Sequence, residues 1–106
     1  MQLKIVGFDM IEEQDRKDFE KIFNDYMEKS QKRMKNISSF NIDLKEYKKE
    51  SNRKKFSIHL RIAIDTKNKF EAEAADFDLK RTLHKLFKKI DEQLEHRFHT
   101  SDQHKK

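Results

Sequence analysis

The segment DFDLKRTLHKLFKKIDEQLEHRF, residues 76–98, carries the most regular hydrophobic pattern in the chain. Its apolar residues recur every three or four positions, the spacing of one face of an α-helix. They are Leu79, Leu83, Leu86, Phe87, Ile90, Leu94 and Phe98. At about 100° per residue, cations fall opposite this stripe (Arg81, Lys85 and Lys88) and on its flanks (Lys80 and Lys89, with His84). The pattern therefore predicts an amphipathic helix that packs on a core and presents positive charge outwards.

The first residues of this segment fit a helix start only in part. Asp76 and Asp78 suit a cap and a first-turn acid, because the free N–H groups there favour an oxygen acceptor. Lys80 and Arg81 do not suit this end, since they face the positive pole of the helix dipole. Local helix energetics do not explain these two cations. A binding partner explains them better, or else chance in a lysine-rich chain.

The composition limits the possible functions. The chain has 106 residues, of which 42% are charged and 34% hydrophobic, with a net charge of +5 and a pI near 9.4. We predict one ordered domain over residues 1–99 and a disordered polar tail over residues 100–106. The positive charge favours an acidic polymer such as nucleic acid as the partner, although a Lys/Glu-rich surface can also serve solubility alone.

Several classes of site and location are disfavoured by what the sequence lacks. There is no cysteine for a disulfide or thiolate, and with no proline and one glycine, Gly7, the chain has no glycine-rich phosphate loop. No apolar run approaches the ~18 residues of a membrane span, and the N-terminus lacks a signal-peptide pattern. We therefore expect a soluble, cytoplasmic protein with no membrane partner.

Shorter patterns predict the remaining elements. Residues alternate between apolar and polar, as in half-buried strands, in the segments 3–8, 39–47, 56–65 and 70–74. A second helical stripe over residues 12–34 consists of Phe19, Ile22, Phe23, Tyr26, Met27 and Met34. The order β-α-β-β-β-α predicts an α+β fold, in which two helices pack on one face of a four-stranded sheet. This arrangement is similar to a double-stranded RNA-binding domain (dsRBD-like).

This order of elements, with the closing run DLKRTLHKLFKKIDEQL over residues 78–94, resembles the ribosome hibernation-promoting factor and ribosome-associated inhibitor family. The likeness covers residues 3–98 and is strongest from Phe40 onwards, where a charged hairpin, a long strand and an acid-flanked strand ending in alanines precede the helix. It implies a protein that binds the small ribosomal subunit through ribosomal RNA. Such a protein blocks translation in resting or stressed cells by occluding the mRNA and tRNA channel. The chain resembles a short form, which lacks a second domain.

The resemblance also implies which residues contact ribosomal RNA. Basic side chains on both helices serve this role in the family, and the matching positions are Lys80, Arg81, Lys85, Lys88 and Lys89, with Lys17 and Lys21. The hairpin adds a basic finger of Lys48, Lys49, Arg53, Lys54 and Lys55. A solvated lysine face is the alternative interpretation of both groups. The acids Asp91, Glu92 and Glu95 continue the outward face of the last helix and are expected to shorten the cationic patch.

Chemical catalysis is not predicted. His96 and His99 lie one helical turn apart, but no third ligand is placed beside them, so we expect no metal and no cofactor. Glu71 and Glu73 share one sheet face without a nucleophile or pocket, so we expect no enzyme activity and no small-molecule substrate. Helix or strand phase predicts that most phenylalanines lie in the core, namely Phe19, Phe23, Phe56, Phe70, Phe87 and Phe98.

Two other functions remain open from the sequence. One is a double-stranded RNA-binding module that uses Lys80, Arg81 and Lys85, although the hairpin lacks the usual proline and glycine. The other is a protein-interaction module whose basic face meets an acidic protein and whose sheet edge pairs with a second copy. The family resemblance instead implies a monomer when the protein is not on the ribosome.

Overall fold

Two helices pack on one face of a four-stranded sheet in the computed structural model of this protein, which describes residues 2–34, 36–48, 53–65 and 68–103. The elements are β1 (Gln2–Val6), α1 (Glu13–Arg33), β2 (Ser39–Lys48), β3 (Lys54–Ala63), β4 (Lys69–Asp76) and α2 (Leu79–Gln103). The predicted α+β class and the order β-α-β-β-β-α are confirmed. None of the helices, over the described residues, is long and apolar enough to cross a lipid bilayer.

The strands lie in the sheet in sequence order, β1-β2-β3-β4. β1 pairs with β2 in parallel, with Leu3 opposite Phe40, and the other two pairings are antiparallel. A parallel pair needs a crossover connection, which α1 supplies, whereas the antiparallel strands follow one another along the chain. β1 and β4 are therefore the two edges of the sheet.

The core lies between the sheet and the helices, where the predicted alternation places it. The buried strand residues are Phe40, Ile42, Leu44, Phe56, Ile58, Leu60, Ile62, Phe70, Ala72 and Ala74. α2 contributes Leu79, Leu83, Leu86, Phe87, Ile90 and Leu94, and α1 contributes Phe19, Phe23 and Tyr26. Small alanines on β4 leave room for α2 to pack on this strand.

β1 departs from the prediction that every strand has a buried apolar face. Leu3 is 45% exposed and Val6 is 46% exposed, while Ile5 packs only partly against the core. The reason is the lack of cover, because α2 packs on the other edge strand, β4, whereas the described part of neither helix packs on β1 to a similar extent. This strand is also shorter than predicted, since a 3₁₀ turn over Phe8–Met10 follows it.

Gly7 connects β1 to this turn in a conformation that favours glycine. Its φ is +90°, and its carbonyl accepts the N–H of Met10 at 3.1 Å. A Cβ at this position would lie 1.9 Å from the carbonyl oxygen of Leu44 on the neighbouring strand. Both the left-handed backbone and this close approach therefore require the absence of a side chain.

Asp78 caps the start of α2. Its carboxylate accepts the N–H of Lys80 at 3.0 Å, and its carbonyl accepts the hydroxyl and N–H of Thr82 at 2.7 and 2.9 Å. The prediction that Asp76 belongs to the helix start is wrong, because this residue is the last of β4. Asp78 alone provides the cap, by accepting the N–H of Lys80.

α2 ends at Gln103 instead of Phe98, because no glycine or proline interrupts the helical backbone. Residues 100–103 are thus helical where a disordered tail was predicted, and residues 104–106 lie outside the described residues. Whether the tail over 100–106 is disordered in solution stays a prediction. The side chains of residues 97–103, including Phe98, also lie outside the described part.

Candidate nucleic-acid interface

α1 and α2 run side by side in the same direction. The ring of Tyr26 stacks on that of Phe87, with 3.8 Å between centroids and 5° between planes. Further along both helices, the guanidinium of Arg33 lies 2.9 Å from the carboxylate of Asp91. Because contacts advance together along the two helices, the second half of α1 and the first half of α2 enclose one groove.

This groove has a volume of about 610 Å³ and combines an apolar floor with charged walls. Ile22, Tyr26 and Phe87 are the apolar and aromatic residues that line it. The charged or titratable lining residues are Asp25, Lys29, Lys32 and Arg33 on α1 and His84, Lys88 and Asp91 on α2. Four cations thus face two acids, so the groove favours an anionic ligand.

Asp91 was expected on the outward face of α2, but it lies within this groove. Its carboxylate accepts hydrogen bonds from Arg33 at 2.9 Å and from the Tyr26 hydroxyl at 3.2 Å. Burial, and secondly the charge of Asp91, raise the pKa of Tyr26 well above its ordinary value. The phenol therefore stays protonated and donates to Asp91, which fixes the spacing of the helices.

The predicted cations of α2 divide between two flanks of the helix. The flank over β4 carries Arg81 and Lys85, whose side chains lie 3.5 and 2.7 Å from the carboxylate of Asp76. On the same flank, the Lys89 ammonium donates to the carbonyl of Glu73 at 2.5 Å. The hydrogen bond from Lys85 lowers the pKa of Asp76 below its ordinary value. Local helix energetics do not explain Arg81 at a helix start, but this residue has an intramolecular partner in Asp76. Its side chain is nevertheless 64% exposed.

The flank of α2 that faces α1 is different. His84 and Lys88 line the groove, and Lys80 lies one turn earlier on this side. Neither Lys80 nor Lys88 has an acidic partner within the described part of the chain. Lys29 and Lys32 of α1 line the same groove and are also exposed. This flank therefore presents positive charge that the protein itself does not neutralise.

Three candidate residues on α1 were not predicted from the sequence, namely Lys29, Lys32 and Arg33. The predicted residues of this helix, Lys17 and Lys21, are exposed near its start, where Lys17 lies 3.8 Å from Glu13. Acids and cations alternate along the outward side of α1, so no basic stripe was visible. The available signal was the basic last turn of α1.

The hairpin cations lie against the starts of both helices. Lys54 pairs with Glu12 at the N-cap of α1, a contact that raises the pKa of Lys54, and lies 3.9 Å from Glu46. The Arg53 guanidinium lies over the Phe77 ring at 4.1 Å, and the Lys55 ammonium is 6.0 Å from the ring centroid. The hairpin tip, with Lys49 and the side chain of Lys48, falls outside the described residues.

On the opposite face of the sheet, cations lie beside acids. Arg61 lies 3.9 Å from Asp43, and His59 contacts Glu71. No group of three histidine or acidic side chains among the described residues could hold a metal ion. His99, one of the two histidines weighed as ligands, has its side chain outside that part.

The edge of β4 is covered by side chains of α2. The amide of Gln93 donates to the carbonyl of Glu71 at 2.6 Å and accepts the N–H of Glu71 at 3.4 Å. Lys89 satisfies the carbonyl of Glu73 in the same way. Three of the backbone groups that an added strand would need are therefore already bonded, which disfavours pairing of this edge with a second copy.

These features define a small α+β protein with a one-sided cationic groove between two parallel helices. No protein-family model matches the sequence, and no curated protein matches it. Among solved structures, the chain is similar to a ribosomal subunit interface protein from Coxiella burnetii, with 17% sequence identity and a TM-score of 0.56. The match covers 92% of this chain and 97% of the other. At this identity the likeness establishes a shared fold.

Proposed function

We propose that this protein is a ribosome hibernation factor. It binds the small ribosomal subunit through ribosomal RNA and blocks translation by occluding the path of mRNA and tRNA. The shared fold with a ribosomal subunit interface protein supports this assignment. The resemblance of the element order and of the closing run over residues 78–94 to the hibernation factor family also supports it.

The observation that carries the proposal is the one-sided distribution of charge. Lys29, Lys32 and Lys88 line the groove between the helices, whereas on the opposite sheet face cations and acids are mixed, with Arg61 beside Asp43 and His59 in contact with Glu71. A protein that neutralises RNA phosphates releases their counterions, so several lysines on one side produce a strong and salt-sensitive attraction. The mode of action is occlusion, which requires no chemical step.

Cosedimentation with separated ribosomal subunits tests the proposal. Purified protein is mixed with small subunits, large subunits or plain duplex RNA over a series of salt concentrations. We expect binding to small subunits that weakens steeply with salt, and reduced assembly of initiation complexes on those subunits. The same affinity for plain duplex RNA would replace the proposal with a double-stranded RNA-binding module. A stable dimer that binds no ribosomal particle would favour a protein-interaction module.

A further inference from the structure

Phe77 is exposed in a protein that buries most of its phenylalanines. Its side chain lies in the two-residue connection between β4 and α2 and is 42% exposed. The core phenylalanines are at most 6% exposed: Phe19, Phe23, Phe40, Phe56, Phe70 and Phe87. An exposed aromatic ring loses the free energy that burial would give it, so its position invites a functional explanation.

The two residues beside Phe77 hold its backbone in place. The N–H of Phe77 donates to the carboxylate of Asp76 at 2.6 Å, and Lys85 binds that carboxylate at 2.7 Å. On the other side, Asp78 is fixed as the cap of α2. Because both neighbours are turned towards the protein, the ring projects outwards from an ordered connection.

Cations surround this ring. The Arg53 guanidinium lies over it at 4.1 Å, and the Lys55 ammonium is 6.0 Å from its centroid. Lys80 and Arg81 follow in the first turn of α2. The nearby acids are committed within the protein, because Asp76 pairs with α2 and Asp78 caps it. The ring therefore stands in a positively charged surface, at the start of the helix whose other flank lines the groove.

We propose that Phe77 and Arg53 form a stacking site for one unpaired base of an RNA strand, and that Lys55 and Lys80 contact the neighbouring phosphates. Aromatic rings and flat guanidinium groups are the surfaces on which proteins stack splayed-out bases. If the ring served only to hold the hairpin by a cation–π contact with Arg53, the cations Lys55 and Lys80 would not be needed beside it. The inference rests on the proposed function and specifies the RNA element, a single-stranded nucleotide beside the groove.

The chain contains no tryptophan, so a Phe77→Trp variant provides a single fluorescent reporter at the site. Leu3→Trp is the matched control, because Leu3 is 45% exposed and pairs with Phe40 at the end of the sheet far from the hairpin. The probe is an unstructured single-stranded RNA of mixed sequence, with a duplex of the same length for comparison. We expect saturable quenching of F77W by the single strand and little change with the duplex or in L3W.

Affinity measurements on Phe77 variants complete the test. We expect Phe77→Leu to weaken binding of the single strand about 5- to 150-fold, the range found when a stacking aromatic is removed. Phe77→Tyr retains the ring and should bind like the wild type. Equal quenching of F77W and L3W, or an unchanged affinity of Phe77→Leu, would overturn the stacking site. Because the reporter signal needs no ribosome, quenching of F77W without small-subunit binding would overturn only the proposed function. Binding to small subunits without quenching of F77W would overturn only the stacking site.

Discussion

Replacing Lys29, Lys32 and Lys88 together by glutamine removes three of the positive charges that line the groove between α1 and α2. All three side chains are exposed, and glutamine keeps most of their length and helix propensity. Exposed substitutions of this kind usually change the free energy of unfolding by about 0.5 kcal/mol or less. We therefore expect a folded protein that binds small subunits much less tightly.

The size of the effect follows from counterion release. Each phosphate that a cation neutralises adds about 0.7–0.9 to the slope of log affinity against log salt concentration. If each lysine contacts one phosphate, the triple variant loses about 2–3 units of slope. With the affinities of variant and wild type taken as equal at 1 M salt, this difference in slope corresponds to an affinity loss of about 100- to 500-fold at ~0.1 M salt.

Binding of labelled protein to small subunits over a salt series measures both quantities. The matched control replaces Lys4, Lys45 and Lys69 by glutamine, which removes the same charge from the opposite face of the sheet. Thermal unfolding of both variants shows that each is folded. Because long-range attraction depends on net charge while phosphate contacts depend on position, only the groove variant should lose the full slope.

An equal loss of slope in the two variants would show that net charge, and not the groove, controls binding. An unchanged slope in the groove variant would remove the groove from the RNA contact surface. In that case the cations of the other flank, Arg81 and Lys85, become the next to test. Their pairing with Asp76 then has to open before they can neutralise phosphate.

Three further predictions concern the fold. Gly7→Ala should destabilise the protein by about 1–3 kcal/mol in denaturant unfolding, or more, because its Cβ would meet the Leu44 carbonyl; an unchanged midpoint would contradict the left-handed turn. Leu86→Ala should cost about 2–5 kcal/mol, because Leu86 is fully buried, and a cost below ~1 kcal/mol would argue against its place in the core. Since the pKa of Asp76 is lower in the folded chain, its pair with Lys85 stabilises the protein above the ordinary carboxyl pKa of 3.8 and is lost as pH falls through the folded value. Asp76→Asn should therefore make the melting temperature fall less steeply than in the wild type on acidification from pH ~5.

The sequence predicted the fold because its two periodicities were unambiguous. Alternation over Phe56–Ile62 and the stripe of α2 each satisfy one geometry only, so element type and buried face followed directly. β1 was harder, since its exposure depends on which strands the helices cover, and this is a property of the tertiary structure. The pattern predicted Asp76 as the cap of α2, two residues before Asp78, which provides it.

The candidate interface was predictable only in part. Helix phase alone gave one cationic face for α2, because the sequence does not show what packs on either flank. In the described part of the structure only one flank of this face is unpaired, because Arg81 and Lys85 on the other flank pair with Asp76 at the end of β4. The contribution of Lys29 and Lys32 depends on the parallel packing of the helices, which places the last turns of α1 beside the middle of α2.

The hydrogen bonds from Gln93 and Lys89 to β4 limit how copies of this protein can join. A sheet with two available borders can add molecules head to tail without end, and the product is an open-ended fibre. Here the protein's own helix already bonds three backbone groups of one border, the N–H and carbonyl of Glu71 and the carbonyl of Glu73. Strand-mediated association is therefore expected to use β1 and to stop at a closed pair.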